Sequence, residues 1–420
     1  MARVGIVYPR ANVDTVPSLI GAAEVLADHG YDIDLFTYTQ AGQPVPRFNS
    51  PRIRLRSLGT DGLADHSTAG LRSLVKRAGW LPTAARAPLG RGYAMLGAGL
   101  AQGSRLAARA RSAVADSPPT YACVIGVDPD GLALAHTLAR GAPIGYYSLE
   151  LLLSYELSSA AEQQLKAQER ALSRGAEFVV VQDEARGRLL AEDNNLAEER
   201  LVLVPNAPPG PARRRPSAYW HARFELPPTA RVVVHSGSLG DWTGIDGIID
   251  SAAGWPAHWV LVVHTRYDAE SSAYVDALRA RADAHRVRFS LRPVRRQDYD
   301  PLIDGAEVGL AFYVSSAGSS FTQRNVQTIG LSSGKLAYYL RAGLPVIVNR
   351  AASIAGLVES SGCGVAVDDA TQIGPALDRV ASGYAGFSAG ACAFFAEHLD
   401  FRQAFGEVVR RVDTLRGGPP

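Results

Sequence analysis

Two consecutive α/β units, each built on a parallel sheet, are the fold that this sequence predicts. Three observations carry the prediction. The chain has 420 residues, too many for one ordinary hydrophobic core and natural for two. It opens strand–helix–strand, with Arg3–Tyr8, Val16–His29 and Asp32–Tyr38 in that order, and a βαβ opening implies parallel pairing. The same alternation restarts at Arg231–Ser236, after a stretch at 207–217 that holds four prolines and the run Arg213-Arg214-Arg215. That stretch reads as a linker. The expected organisation is 1–206, linker 207–217, 218–395, and a C-terminal helix and tail at 396–420.

In the first unit Gly30 caps the opening helix. Residues 40–66 are loop-rich around a short strand at Arg52–Leu58. Residues 68–114 read as a basic, alanine-rich helical region broken at Pro82 and Pro88, with Lys76 and seven arginines from Arg72 to Arg111. Such faces are either solvated or a surface for an anionic membrane or polyanionic acceptor. Strands follow at Ala122–Val127, Ile144–Ser148, Phe178–Gln182 and Leu201–Pro205, with helices to about Arg140 and over Leu157–Ser173. The second unit places strands at Arg231–Ser236, Trp259–His264, Val287–Leu291, Val308–Phe312, Pro345–Val348 and Gly364–Val367. Its helices fall at about Ile245–Ala253, Ser271–Ala284, Asp298–Asp304 and Ala352–Ser360. The remainder is helical and ends on Phe401–Leu415. Ligand loops at the carboxyl ends of both sets of strands would face a cleft.

Composition excludes several classes. Net charge is +2, so nothing marks a general nucleic-acid binder. Three scattered cysteines argue against a disulfide framework or zinc site and for a reducing compartment. The chain runs straight into a strand, and no apolar run reaches the ~18 residues that span a bilayer. A cytoplasmic protein, at most touching the inner face of the membrane, is the expectation.

The richest segment is Gly330–Val348. Small residues (Ser332, Ser333, Gly334) precede a helix, and free N–H groups at such a start suit an anion. Lys335 sits in the first turn, where a cation opposes the helix dipole, so a ligand is the natural reason for it. It is one of only three lysines among 43 basic residues.

With these residues in view, the order of elements resembles a GT-B glycosyltransferase over nearly the whole chain. Lys335-Leu336-x-x-Tyr339-Leu340-x-Ala342-Gly343-x-Pro345-Val346-Ile347 resembles the donor-site helix of glycosyltransferase family 4-like enzymes. Val202–Asn206 resembles the segment closing their N-terminal domain, Val232–Leu239 the first strand and loop of their nucleotide domain, and Ile144–Glu150 an acceptor-side strand. The chain departs from the family where retaining members carry two glutamates: Gly330 and Tyr338 stand at those places. It has Ser238 and Thr243 at about the positions of a diphosphate-binding arginine and lysine.

The resemblance implies two Rossmann-like domains facing a cleft, with the C-terminal helix packed back on the N-terminal one. It implies a nucleotide-sugar donor, most naturally a uridine diphosphate sugar, and neither cofactor nor metal. The donor set would be Ser236, Gly237, Ser238, Thr243, Arg266, Arg324, Ser332, Ser333, Gly334, Lys335, Tyr338 and Tyr339. Stabilisation must grow on the leaving diphosphate as its bond breaks. A base for the acceptor hydroxyl would come from Asp128, Asp14 or Glu150, with Glu156 behind them. Each of these is equally a surface carboxylate or a helix N-cap. Asp128-Pro129-Asp130 reads as a turn and N-cap rather than a metal-binding pair. His235, His264 and Trp242 are as readily packing groups as ligands. The alternatives are a sugar-nucleotide epimerase of the same fold and a non-catalytic sugar-nucleotide-binding subunit.

Overall fold

The computed structural model describes residues 2–39, 45–48, 50–59, 108, 112, 120–315, 322–350 and 353–417. The basic region at 68–114 thus lies, but for two positions, outside the described residues. Seven strands form the first sheet: β1 (Arg3–Val7), β2 (Asp32–Thr37), β3 (Ile53–Ser57), β4 (Tyr121–Val127), β5 (Ile144–Tyr147), β6 (Phe178–Val181) and β7 (Leu201–Leu203). Their order is β3-β2-β1-β4-β5-β6-β7. Six form the second: β8 (Arg231–Ser236), β9 (Trp259–His264), β10 (Val287–Ser290), β11 (Val308–Ala311), β12 (Val346–Asn349) and β13 (Gly364–Val367), in the order β10-β9-β8-β11-β12-β13. All these pairings are parallel.

The strands read as continuous apolar runs because helices cover both faces. Val232, Val233 and Val234 are all fully buried. In each sheet the order reverses once, between β1 and β4 and between β8 and β11. The crevice outside the strand ends at such a reversal is where α/β sheets take ligands. The helix Asp128–Ala139 enters its crevice tightly, since a Cβ on Gly131 would lie 2.4 Å from the Val7 carbonyl oxygen.

The proline-rich segment is a fixed strap rather than a loose tether. Arg213 N donates to Arg341 O at 2.7 Å. The Arg214 guanidinium donates to the carbonyls of Asp304 and Ala306 at 2.9 and 2.8 Å. Both anchors lie on the second unit.

The last helix, Phe401–Gly417, returns to the first unit as expected. Arg402 pairs with Asp28 at 2.8 Å, and the Tyr31 hydroxyl donates to Asp413. The Phe401 ring presses on Gly21, where a Cβ would lie 2.6 Å from it. Gly21→Val is therefore expected to destabilise the fold by about 1–3 kcal/mol through overpacking. A lowered urea midpoint and faster hydrogen exchange across 401–417 would register it.

Polar contacts also join the two units across the cleft. Arg296 pairs with Glu24 at 2.7 Å. Arg266 Nη1 donates to Thr15 O at 2.5 Å. Leu151 and Asn325 exchange two hydrogen bonds, at 3.3 and 2.6 Å.

Candidate active site

The helix Gly334–Arg341 begins where β11 and β8 expose their carboxyl ends. Ser333 is its N-cap, its Oγ accepting from Leu336 N at 3.2 Å. The same Oγ lies 2.5 Å from the hydroxyl of Tyr313, which follows β11. The turn Gly330–Ser332 feeds the cap, with Gly330 at φ +30°.

Lys335 points inward from the first turn and is only 7% exposed. Its Nζ lies 4.5 Å from the centre of the Tyr313 ring. That buried ammonium has no hydrogen-bond partner among the described residues. On its other side is the loop after β8, where a Cβ on Gly237 would stand 3.7 Å from Lys335 Cε. Burial, and secondarily the charge of Arg266, pushes the Lys335 pKa down to about 7. His235, at the end of β8, is held well below the usual imidazole range by burial and then by Lys335. It is therefore neutral and adds no charge of its own. A dry cation facing another cation has the wrong neighbours for stability and the right ones for an anion.

Arg266, after β9, links this spot to the cleft. A small cavity there is lined by Asn12, Asp14, His264, Arg266, Tyr299 and Tyr338, among others. The Oδ1 of Asp14 is buried without a hydrogen-bond partner among the described residues. Burial raises the Asp14 pKa, with Arg296 opposing. The ring of Tyr338 stands edge-on to Tyr299 at 4.6 Å and under Arg341 at 5.4 Å. Burial, mainly, pushes His264 down to about 3, so this imidazole too is neutral.

The structure thus brings together Gly237, Arg266, Ser333, Gly334, Lys335 and Tyr338 from the predicted donor set, with Asp14 across the cleft. It uses others differently. Tyr339 is fully buried, its ring occupying the space a Cβ on Gly309 would need. Its hydroxyl accepts from Ser236 N at 2.7 Å, and Ser236 Oγ is spent on Tyr299 Oη at 2.8 Å. Thr243 is buried and donates to Gly240 O at 2.6 Å. Ser332 Oγ donates to Ile329 O at 2.5 Å, and the Ser238 carbonyl lies 3.4 Å from His235 Nε2. These groups hold the loops.

Arg324 is exposed on the helix Thr322–Gln327. Its backbone N donates to Glu156 Oε1 at 3.0 Å, and its guanidinium to Gln327 at 3.1 Å. Trp242 stacks on Tyr313, centroids 6.2 Å apart.

One reading of the first unit is corrected. Asp128 is no N-cap: it lies at φ +57° inside the helix bounds. Its Oδ1 accepts from Leu149 N and Glu150 N at 2.9 and 3.0 Å, and its Oδ2 is 3.1 Å from Arg10. The carboxylate is 1% exposed, holding two backbone N–H groups through Oδ1 and facing Arg10 through Oδ2, which suits the anchoring of two loops. Glu150 stands exposed beyond it. Tyr313, Tyr299 and Arg296 are the site residues that sequence reasoning passed over. For Tyr313 a signal existed, since it comes directly after an apolar run at a sheet's reversal.

Residues 308–386, from β11 onward, match the family model described as the C-terminal domain of glucosyltransferase 3-like proteins. No curated protein matches the chain in sequence. Among solved structures, sucrose-phosphate synthase from Thermosynechococcus elongatus superposes at TM-score 0.67 with 15% identity, covering 99% of this chain and 100% of that one. HepE of Anabaena, solved with UDP and glucose, gives 0.65 at 14% identity over 99% and 100%. The α,α-trehalose 6-phosphate synthase of Burkholderia multivorans gives 0.61 at 14% over 99% of each chain. The fold is GT-B. Two Rossmann-like halves, of seven and six parallel strands, account for the full length of the alignment with these glycosyltransferases. Among the described residues no helix is long and apolar enough to cross a membrane. Nor do three or more His, Cys, Asp or Glu side chains among them gather into a possible metal site.

Proposed function

We propose that this protein transfers a sugar from a nucleoside-diphosphate sugar to a hydroxyl of a glycan, lipid-linked or natural-product acceptor. The observation that carries the reading is Lys335, a buried ammonium without a counter-charge, next to Arg266 and at the start of a helix. A diphosphate is the anion with the charge and reach to meet both cations. The fold adds weight, and the UDP and glucose bound by HepE favour uridine as the nucleoside. In this reading residues 218–395 take the donor and 1–206 the acceptor, in the cytoplasm, with 68–114 as a basic approach to a membrane or acceptor.

In the reaction the bond from the sugar's anomeric carbon to the diphosphate oxygen breaks, and one to the acceptor oxygen forms. Lys335 and Arg266 stabilise the charge that collects on the leaving diphosphate. The acceptor proton goes to Asp14 when the configuration inverts, or to the departing phosphate when it is retained. Asp14 is preferred over Asp128 because it lines the cavity beside Arg266, whereas Asp128 is tied to Arg10 and to two backbone N–H groups.

Incubation with a panel of UDP-sugars tests the reading. Slow release of free sugar and UDP supports it, an isomerised sugar nucleotide supports an epimerase, and binding without turnover a non-catalytic subunit. For Asp14 as base, Asp14→Asn is expected to lower kcat on the order of a hundredfold or more while donor affinity holds. Because the base must be ionised and its pKa is raised, wild-type activity should fall on acidification at a pH above the ordinary carboxylate range. Equal loss of kcat and donor affinity would argue against that role.

A further inference from the structure

The turn that aims Lys335 is held from the opposite half of the molecule. Asn206, just after β7, donates its backbone N to Leu331 O at 2.9 Å. Its side-chain Nδ2 donates to Ser332 O at 3.1 Å. Asp183, after β6, accepts from Leu331 N through Oδ2 at 3.3 Å. Its other oxygen caps the helix Glu184–Asn194, accepting from Arg186 N at 2.9 Å, so the carboxylate cannot swing away freely.

Close approach at the turn depends on Gly330, with Gly334 in ordinary contact beside it. A Cβ on Gly330 would lie 2.7 Å from Asp183 Oδ2, and one on Gly334 would lie 3.4 Å from Asn206 Nδ2. Within its own half the turn has, among the described residues, a single side-chain tie, from Gly330 N to Ser353 Oγ at 3.3 Å, besides its local bonds. Next in the chain come the cap, Ser333, and Lys335.

We infer that Asn206 and Asp183 are positioning residues for the donor: by clamping Leu331 and Ser332 from the acceptor half, they keep Lys335 buried against Tyr313 and Gly237. This rests on the reading that Lys335 binds the donor diphosphate. Its physical basis is leverage. Leu331 and Ser332 lie within four residues of Lys335, so freeing their carbonyls and N–H lets the first helical turn fray, and a frayed turn lets the lysine side chain reach water. Without its clamp the site would offer a solvated, mobile lysine in place of a preorganised one, and preorganisation is what gives such a charge its strength.

The groups facing Lys335 are Arg266 from the β9 loop, neutral His235 from the end of β8, and the Tyr313 ring after β11. None is altered by substitution at Asn206. A clamp that sets the burial of Lys335 therefore has a signature that simple destabilisation lacks.

The experiment is calorimetric titration of the full chain with UDP-glucose between about pH 6 and pH 9. The diphosphate diester of this probe has no proton to exchange in that range. Wild type should lose affinity as pH rises through about 7, where the free-state Lys335 discharges. Asn206→Ala should bind roughly tenfold more weakly near pH 6, the cost of one charged contact made loose. Its affinity should also stay flat to about pH 8, because an exposed lysine keeps its proton there. Asn206→Ser serves as the milder variant should the alanine fold poorly, and Asp183→Asn, which can still cap its helix, should move both readouts in the same direction. Wild-type affinity and wild-type pH midpoint in folded Asn206 and Asp183 variants, with Lys335→Ala still weakening binding at least tenfold, would overturn the clamp. Undiminished binding by Lys335→Ala itself would instead remove the reading on which the clamp rests.

Discussion

Lys335→Ala is expected to cut turnover at least tenfold and to weaken UDP-sugar binding by a similar or larger factor. Losing one charged contact costs roughly 1.5–3 kcal/mol, and each 1.4 kcal/mol is a factor of ten. The structure raises the expected effect toward the top of that range. The ammonium is buried, carries no hydrogen bond from the described residues, and feels the like charge of Arg266. A ligand anion there meets a cation with no competing partner. Lys335→Arg should rescue only in part, because a forked, planar guanidinium does not present its charge at the place of the compact ammonium. Steady-state kinetics with a UDP-sugar donor, beside thermal melts to confirm folding, would decide the matter. Unchanged kinetics in a folded variant would remove the central claim.

Lys335→Met is expected to stabilise the free protein while destroying its activity. In the folded state the lysine pKa is pushed down to about 7 from its ordinary 10.5. The unfolded chain therefore binds the proton more tightly than the folded one throughout the interval between these values. The lysine's penalty on folding is absent above the unfolded pKa, grows as pH falls from there, and is complete below about 7. Removing it should raise stability at all pH values under the ordinary lysine range. The gain should be on the order of 2 kcal/mol larger near pH 6 than near pH 9. Methionine keeps most of the side-chain volume, so a cavity does not obscure the comparison. Urea unfolding at the two pH values measures it. A variant less stable than wild type at both would mean that the lysine is satisfied in the free protein. The two predictions together describe a site that trades stability for ligand charge.

Much of this was legible from residues alone. Runs such as Val232-Val233-Val234 read as strands buried on both faces, and their alternation with helical stretches points to parallel α/β units. The small-residue turn, the Ser333 cap and Lys335 were readable as an anion site because capping and helix-dipole chemistry are local. Local chemistry also misled. Asp128 has the neighbours of an N-cap, yet its carboxylate is drawn to Arg10 and to two N–H groups that lie next to it only once β4 and β5 pair. Tyr339 sits in the donor motif, but helix periodicity turns it into the core while its neighbour Tyr338 faces the cleft.

By itself, then, the sequence determined the two α/β units, the last helix as a helix and the lysine-bearing helix start, because each depends on periodicity, capping and residue size within a short stretch; the return of that helix to the first unit was implied only by the resemblance. Tertiary structure alone decided which charges are left unpaired. Asp128 is paired with a loop more than a hundred residues earlier, whereas among the described residues Lys335 finds no hydrogen-bond partner and Asp14 keeps an oxygen without one. Pairing is a matter of distance in space, and it is the unpaired groups, not the motif as written, that mark where a ligand belongs.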